Sequence, residues 1–364
     1  MNLVIFKINV QGVILNGIKK IKGPWHLKNA YFPKNRGKVF SCFSCYGGST
    51  MGYKLAGFDV IGCNEIDPKV IDIYKLNHNP RYAFNCSIRE MLNIDLPKEL
   101  YNLDILDGSP PCTSFSVAGV RERDWGKQKK FAEGQANQRL DDLFFEFIAL
   151  ANILKPKIVI AENVVGIVQG KAKGYIKEII KAYSDAGYIT QIFKLNSANM
   201  GVPQVRKRIF FISYRKDLNF KKLKLAFNEK PITFGDIQHL LDPNFKVKEN
   251  LELYPSILKY YDQVKKGSNF GTAHPTGSFF NYHKLSFIKP VPTYCSKGNS
   301  FCHPTFKRFI SYQELLLCST FPMDLKHKKI EHVKWAMGMS VPPFMMQRIA
   351  LEIYDQWIKN GPQK

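Results

Sequence analysis

Five short apolar runs between residues 39 and 214 restrict the fold of this chain more than any other feature of its sequence. The runs are VFSCF (39–43), VIGCNE (60–65), LDILDG (103–108), KIVIAEN (157–163) and RIFFISY (208–214). Residues 140–154 and 174–187, which lie between runs, carry apolar side chains at helical spacing. Short apolar strands that alternate with helices are typical of a parallel sheet with crossover helices. We therefore predict a doubly wound α/β fold.

This alternation stops after Arg215, where the composition changes. Residues 216–285 are rich in Lys, Asn, Tyr and Phe, and glycines at 267, 271 and 277 interrupt any long element, which indicates a smaller second domain. Helical patterns at 311–318 and 343–357 predict that the C-terminus folds back onto the first domain. The predicted divisions are an extension (1–38), a first domain (39–215), an irregular second domain (216–305) and a return segment (306–364).

The charge of the chain favours a polyanionic partner. Its 364 residues include 53 Lys and Arg against 30 Asp and Glu, a formal net charge of +23. Nucleic acid is the first partner to consider, although a biased base composition of the coding gene is an alternative source of lysines. No apolar run approaches the roughly 20 residues of a membrane-spanning helix, and no signal-peptide pattern opens the chain. We expect a cytoplasmic protein without membrane contact.

The first 38 residues form an unusual basic segment. They contain eight Lys or Arg, no acidic residue and four interleaved aromatic rings. Such a surface could lie along phosphates, and a solvated arm or an added strand is an equal alternative. The apolar runs 3–10 and 13–15 could pair as a short hairpin.

Eight cysteines in a chain of this length do not make a disulfide framework, so we expect free thiols. Cys42 and Cys45 form a CxxC pair, whereas Cys295, Cys302 and His303 form a looser group. A second CxxC pair is absent from the sequence, and we predict no metal site.

A glycine-containing turn follows the first apolar run. In SCFSCYGGSTMGYKLAGF (41–58), Gly47 and Gly48 lie between a predicted strand and a predicted helix, where backbone can approach a nucleotide cofactor. Glu65 ends the next run, and a carboxylate there can accept hydrogen bonds from both ribose hydroxyls. A nicotinamide dehydrogenase would satisfy these two features equally well.

The strongest chemical signal is a cysteine directly after a strand and two prolines. In LDILDGSPPCTSFSVAG (103–119), the prolines stiffen the backbone before Cys112. A side chain so placed projects from the carboxyl end of a strand, where ligands of α/β proteins bind. We predict that Cys112 is a nucleophile; a buried structural cysteine is the alternative.

Two further runs carry an acid and a pair of arginines. Glu162 and Asn163 lie at the end of the run KIVIAEN, so the Glu162 carboxyl group is expected to face a cleft and to donate a proton or hydrogen bond near neutral pH. In GVPQVRKRIFFISY (201–214), Arg206 and Arg208 have the period-two spacing of one strand face. Two guanidinium groups can orient a carboxylate and hold a carbonyl oxygen. An exposed acid and a basic strand edge are the alternatives.

In this order, the motifs resemble the DNA cytosine-5 methyltransferase family of the bacterial restriction-modification type, over residues 39–353. GSPPCTSFS is similar to the family's Pro-Cys motif, AENV to its Glu-Asn-Val motif and QVRKR to its Gln-x-Arg-x-Arg motif. KPVPTYCS (289–296) and RFISYQELLLCSTFP (308–322) are similar to the segment that follows the recognition domain. MGMSVPPFMMQRIA (337–350) resembles the family's closing motif, which returns to complete the cofactor pocket. The resemblance implies a mixed sheet of the S-adenosylmethionine-dependent methyltransferase type with a target-recognition domain at 216–305.

The resemblance also implies a mechanism and a set of residues. Cys112 would add to carbon 6 of a flipped-out cytosine in duplex DNA while Glu162 engages ring nitrogen 3. Arg208 would hold the cytosine carbonyl oxygen and Arg206 would brace Glu162. S-adenosylmethionine would leave as S-adenosylhomocysteine, with no metal required. The implied cofactor contacts are Phe43 at adenine, Gly47 and Gly48 at methionine, Glu65 at ribose, and Ile66, Ile88, Pro111, Leu143, Ser340 and Val341 around them.

Several positions depart from the family pattern. Cys45 stands where the first glycine is usual, Ser87 where Asp is common, Met339 where Asn is usual and Thr113 where Gln is frequent. None of these departures removes Cys112, Glu162 or the arginine pair. We therefore expect them to lower the affinity for the cofactor rather than to abolish the chemistry. Residues 119–138 are implied to close over the substrate, with a solvated linker as the alternative.

Three matters stay open from the sequence. A tRNA cytosine-5 methyltransferase on the same scaffold and a catalytically silent nucleic-acid-binding module are the alternative functions. Pairing with a restriction endonuclease is a hypothesis that the compact chain motivates. We expect a monomer, because methylation of duplex DNA needs no second copy.

Overall fold

The structure, a computed structural model, describes residues 23–111, 143–168, 173–245, 247–296, 300–359 and 361, and the backbone of residues 13–15 and 18–20. Its strands are β1 (Val13–Leu15), β2 (Ile18–Lys20), β3 (Lys38–Cys42), β4 (Asp59–Asn64), β5 (Tyr82–Phe84), β6 (Ile105–Gly108), β7 (Ile158–Val164), β8 (Tyr188–Asn196), β9 (Lys207–Arg215), β10 (Ser268–Asn269), β11 (His283–Lys284) and β12 (Phe301–Cys302). Its α-helices are α1 (Gly48–Leu55), α2 (Pro68–His78), α3 (Ile88–Met91), α4 (Leu143–Leu154), α5 (Lys173–Asp185), α6 (Pro255–Leu258), α7 (Tyr312–Ser319), α8 (Ile330–Met339) and α9 (Pro343–Ile353).

The central sheet confirms the predicted doubly wound, mixed α/β fold. Within the described residues it has seven strands in the order β5-β4-β3-β6-β7-β9-β8. Neighbours from β5 to β7 are parallel, while β9 is antiparallel to both β7 and β8. The chain enters at β3, moves outward through β4 and β5, and then returns to β6 on the other side of β3. The carboxyl ends of β3 and β6 therefore flank a topological switch point, where ligands of α/β sheets bind.

Alternating apolar residues cover both faces of this sheet. Val39, Ile105 and Ile160 face α1 and α9, whereas Phe40, Leu106 and Val159 face α4 and α5. Helix α9 lies against α1 so closely that a Cβ on Gly52 would be 2.5 Å from the Met346 Cβ. The C-terminal helix α9 thus packs onto the sheet through α1.

Two strands of the sheet were not predicted. β5 has only three residues, and β8 is an edge strand whose exposed Ile189 and Ile192 blur the apolar pattern. An edge strand exposes much of its surface, so its composition resembles that of a loop. The predicted strands and the helices α4 and α5 agree with the structure to within a few residues at each end.

Residues 216–305 contain few regular elements, as their composition predicts. Three two-residue strands form a small sheet in the order β10-β11-β12. A separate apolar cluster supports it: Leu253, Ile257, Tyr261, Val264, Phe270, Cys302 and Phe309.

The N-terminal hairpin differs from the expected one. β1 pairs with β2, with Val13 opposite Lys20, whereas the expected partner, residues 3–10, lies outside the described residues. In the part of the chain that the structure describes, no helix is long and apolar enough to cross a membrane.

Candidate active site at the carboxyl edge of the sheet

The turn after β3 has a left-handed backbone at three positions. Phe43, Cys45 and Gly47 have φ values of 51°, 48° and 80°. A glycine takes this conformation without strain, whereas Phe43 and Cys45 keep a Cβ in it. The turn brings α1 to begin at Gly48, directly at the switch point. Cys45, where the resemblance leads us to expect glycine, therefore holds a backbone conformation that glycine takes without strain.

Glu65 joins this turn to the end of β4. One of its carboxylate oxygens accepts a hydrogen bond from the Cys45 N–H at 2.9 Å, and the other accepts from the Asp67 N–H at 3.1 Å. Burial raises the pKa of Glu65 above its ordinary value, against these hydrogen bonds that lower it. A carboxylate has about four lone-pair positions, so Glu65 can accept a further hydrogen bond from a ligand hydroxyl.

Apolar side chains surround the same edge. Phe43, Ile66 and Pro111 are half-buried, and Phe43 lies 6.3 Å from the Phe147 ring. Ile88 and Leu143 are buried at the starts of α3 and α4. An aromatic and aliphatic lining beside a carboxylate suits an adenine ring joined to a ribose.

Ser87, which replaces the family's Asp, has a local structural function. Its side chain accepts a hydrogen bond from the Arg89 N–H, and Glu90 bonds back to the Ser87 N–H in a capping box. The serine therefore defines the start of α3, which carries Ile88.

The return segment covers the glycine turn. Ser340 and Val341, both buried, connect α8 to α9. A Cβ on Gly48 would lie 2.2 Å from the Val341 carbonyl oxygen. Only glycine permits this approach, so Gly48 lies against Ser340 and Val341 although they are far apart in sequence. With Glu65 and the apolar lining, they fit a nucleoside cofactor such as S-adenosylmethionine.

Glu162 lies near the carboxyl end of β7, two residues before its last residue, and forms a buried ion pair with Arg208. The Arg208 Nε lies 2.9 Å from the Glu162 Oε1, and both side chains are largely buried. Asn163 donates a hydrogen bond from its Nδ2 to the Pro110 carbonyl oxygen at 3.2 Å. This bond joins the Glu-Asn-Val segment to the Pro-Pro turn that immediately precedes Cys112.

The arginine that contacts Glu162 is not the expected one. Arg206, expected to brace Glu162, is 1% exposed and donates hydrogen bonds to the carbonyl oxygens of Tyr294, Gly338 and Met339. Arg206 precedes the first residue of β9, so it lies under the return segment, whereas Arg208 lies within the strand beside β7. Burial lowers the pKa of Arg206 to about 9, which leaves it charged at neutral pH.

One buried acid at this edge was not singled out from the sequence. Asp107, in β6, accepts hydrogen bonds from the Ser41 hydroxyl and the Tyr53 hydroxyl, each at 3.0 Å. Burial raises the pKa of Asp107 to about 7, and the charge of Glu162 adds to the rise. An acidic residue inside an apolar strand was the available signal.

Several predicted features fall outside the described residues. They are Cys112, Thr113 and the segment 119–138. Among the residues that the structure describes, no group of three or more His, Cys, Asp or Glu side chains is arranged to hold a metal ion.

Comparisons with known proteins agree with this arrangement. A sequence model of C-5 cytosine-specific DNA methylases matches residues 37–355. Type II methyltransferase M.FnuDI of Fusobacterium nucleatum is 34% identical over 213 residues, 58% of this chain and 56% of that protein. Type II methyltransferase M.NgoPII of Neisseria gonorrhoeae is 35% identical over 204 residues, 55% of each chain.

These two matches span a little over half the length of each curated relative. A crystal structure of a prophage-encoded E. coli protein, assigned as a DNA modification methyltransferase, has a similar fold, with a TM-score of 0.66 and 20% identity. The two chains superimpose over 88% of this one and 99% of the other. Because the family match includes both the sheet and the return segment that closes its edge, the chain belongs to the C-5 cytosine-specific DNA methylase family.

Proposed function

We propose that this protein transfers a methyl group from S-adenosylmethionine to carbon 5 of a cytosine in a specific duplex DNA sequence. In this proposal, residues 39–215 and 306–364 hold the cofactor and the chemistry, and residues 216–305 recognise the target. The observation that carries the proposal is the buried Glu162–Arg208 pair beside the Pro-Pro turn. The net charge of +23 supports a polyanionic substrate.

Carbon 5 of cytosine is not nucleophilic enough to take a methyl group without activation. A thiolate at Cys112 that bonds to carbon 6 makes carbon 5 an enamine carbon, while Glu162 hydrogen-bonds or protonates ring nitrogen 3. Carbon 5 then bonds to the methyl group; loss of its proton to a base and departure of the cysteine restore the ring. The cofactor supplies the electrophilic methyl group when bound.

Arg208 fixes the orientation of Glu162 in this scheme. A guanidinium group 2.9 Å from the carboxylate contacts the acid directly near the carboxyl end of β7. The remaining N–H groups of Arg208 are the candidates for the cytosine carbonyl oxygen. Arg206 acts through the backbone, because its three carbonyl partners belong to the segments that close the site.

The proposal is tested by bisulfite sequencing of DNA from cells that express the protein or its Cys112→Ser variant. In the wild-type sample, we expect the cytosines protected from conversion to lie within one recurring sequence. With the variant, we expect no cytosine to be protected. Equal protection by both proteins would contradict the covalent mechanism. An unprotected genome with the wild-type protein, under expression confirmed by immunoblot, would contradict DNA methylation itself.

A tRNA cytosine-5 methyltransferase is the second candidate. Purified protein with radiolabelled S-adenosylmethionine, offered total tRNA or genomic DNA in separate reactions, distinguishes the two. Calorimetry with the cofactor separates an active enzyme from a silent nucleic-acid-binding protein, since only the former needs the pocket at Gly48 and Glu65.

The cellular context is a further part of the proposal. Relatives named Type II methyltransferases support a role in modification with a companion restriction endonuclease, and a DNA substrate supports a location with the chromosome in the cytoplasm. We propose that a monomer acts. Sequencing of the neighbouring genes and light scattering of the protein with and without DNA test these two statements.

A further inference from the structure

A sharp turn at residues 286–289 exposes a large aliphatic side chain. The Lys289 N–H donates to the Ser286 carbonyl oxygen at 3.4 Å and closes the turn. Ile288, at its tip, is 82% exposed, more than any other Leu, Ile, Val or Met side chain of the described residues. A single exposed aliphatic residue is common on protein surfaces, so the surroundings of this one decide whether it has a function.

Hydrogen bonds and a ring contact with residues 234–235 hold the turn rigidly. The Gly235 N–H donates to the Phe287 carbonyl oxygen and the Phe234 N–H donates to the Lys289 carbonyl oxygen, each at 2.9 Å. The Phe287 ring stacks on Phe234 at a centroid distance of 6.0 Å. A Cβ on Gly235 would lie 2.5 Å from the Phe287 oxygen, so the two segments are in direct contact. The anchored backbone therefore presents Ile288 in a fixed position.

This turn lies next to the candidate active site. Directly after it, the Val291 N–H donates to the Pro203 carbonyl oxygen and the Val205 N–H donates to the Val291 carbonyl oxygen. Ile288 is three residues from Val291, at most about 10 Å of chain. Residues 203–205 lead into Arg206 and Arg208. The turn is therefore joined to the segment that leads into the arginine of the Glu162–Arg208 pair, and Lys289 of the turn lines one cavity with Val205 and Lys207 of that segment.

Basic side chains border the turn. A cavity of about 460 Å³ is lined by residues from β9, the turn and β11, including Lys207, Lys284 and Lys289. Lys207 and Lys289 are exposed. Exposed lysines near an apolar tip fit the two kinds of surface that duplex DNA offers, its phosphates and its stacked bases.

We propose that Ile288 inserts into the DNA duplex at the base pair from which the target cytosine is extruded. This inference rests on the proposed function. Extrusion leaves an unstacked gap, and an apolar side chain that fills it stabilises the open duplex, as apolar wedges do in other DNA-binding proteins. Lys207 and Lys289 hold the flanking phosphates. The rigid turn matters because a mobile tip would lose conformational entropy on insertion.

The experiment compares methyl transfer on two duplexes that carry the sequence mapped by bisulfite sequencing. In one, the target cytosine is paired with guanine; in the other, it lies opposite an abasic position, so that extrusion needs little unpairing. For Ile288→Ala we expect kcat/KM to fall about 10- to 100-fold on the paired duplex and less than about threefold on the abasic one. Ile288→Leu should restore most of the rate.

Two control variants separate insertion from other effects. Ile189→Ala makes the same change at an isoleucine that is 42% exposed at the opposite edge of the sheet, and it should keep the wild-type rate on both duplexes. Lys289→Ala should lower the affinity for both duplexes by the same factor and reduce the salt dependence of binding.

The outcomes distinguish the two proposals. The insertion of Ile288 is overturned if Ile288→Ala keeps the wild-type kcat/KM on the paired duplex, or if its kcat/KM falls by the same factor on both duplexes. Either result leaves the proposal of DNA methylation intact. Wild-type protein without transfer to either duplex overturns the proposed function itself.

Discussion

The buried carboxyl group of Asp107 predicts a specific pH dependence of stability, which Asp107→Asn should remove. Asp107 is 3% exposed, and its hydrogen-bond donors, the hydroxyls of Ser41 and Tyr53, carry no charge. Burial therefore holds the pKa of Asp107 at about 7 in the folded protein, against an ordinary value of 3.8. Asn has nearly the same shape and cannot ionise.

The sign and size of the effect follow from the two pKa values. Between pH 4 and pH 7 the folded protein keeps a proton on Asp107 that the unfolded chain has released, so rising pH favours unfolding. The free energy of unfolding should fall by about 1.4 kcal/mol per pH unit in this window and become level above it. From pH 5 to pH 8 this amounts to about 3 kcal/mol from one side chain.

Urea unfolding of both proteins at pH 5, 6, 7 and 8 measures this contribution, because other titrating groups are shared and cancel in the difference. We expect the stability of Asp107→Asn relative to the wild type to rise by about 3 kcal/mol across the series. Glu99→Gln is a matched control, because hydrogen bonds from Arg81 and Lys38 lower the pKa of Glu99 to about 2. Its stability relative to the wild type should therefore be the same at all four pH values. A constant difference between wild type and Asp107→Asn would refute the reasoning.

Other predictions concern the cofactor turn and the two arginines. Gly48→Ala should weaken S-adenosylmethionine binding at least about tenfold in calorimetry, because its Cβ would meet the Val341 oxygen at 2.2 Å and overpack the turn; Gly174→Ala, which meets nothing within 4 Å, should not. Arg206→Ala should lower the free energy of unfolding by about 3–5 kcal/mol, since three carbonyl groups lose a buried charged donor. Arg208→Ala should lower kcat about 100-fold or more with a smaller loss of stability in the same urea assay. A larger loss of stability for Arg208→Ala together with a larger loss of kcat for Arg206→Ala would show that the roles assigned to the two arginines are wrong.

The sequence determined five of the seven strands of the central sheet, the order of the motifs and the family, because these depend on residues that are close together along the chain. The apolar runs place Glu65 directly after β4 and Glu162 near the carboxyl end of β7. The same local reasoning predicted the helices α4 and α9. Local pattern was insufficient for the edge strand β8, whose exposed face carries little apolar signal.

Only the tertiary structure decided which arginine meets Glu162. Period-two spacing put Arg206 and Arg208 on one face, but strand register fixes the contact: Arg208 pairs with Val164 across β7 and β9, diagonal to Glu162, while Arg206 lies before β9 begins. The approach of Val341 to Gly48 and the fixed position of Ile288 also come from segments far apart in sequence. Chemistry at the site is encoded locally, whereas the pairing of its parts depends on long-range packing that no local pattern specifies.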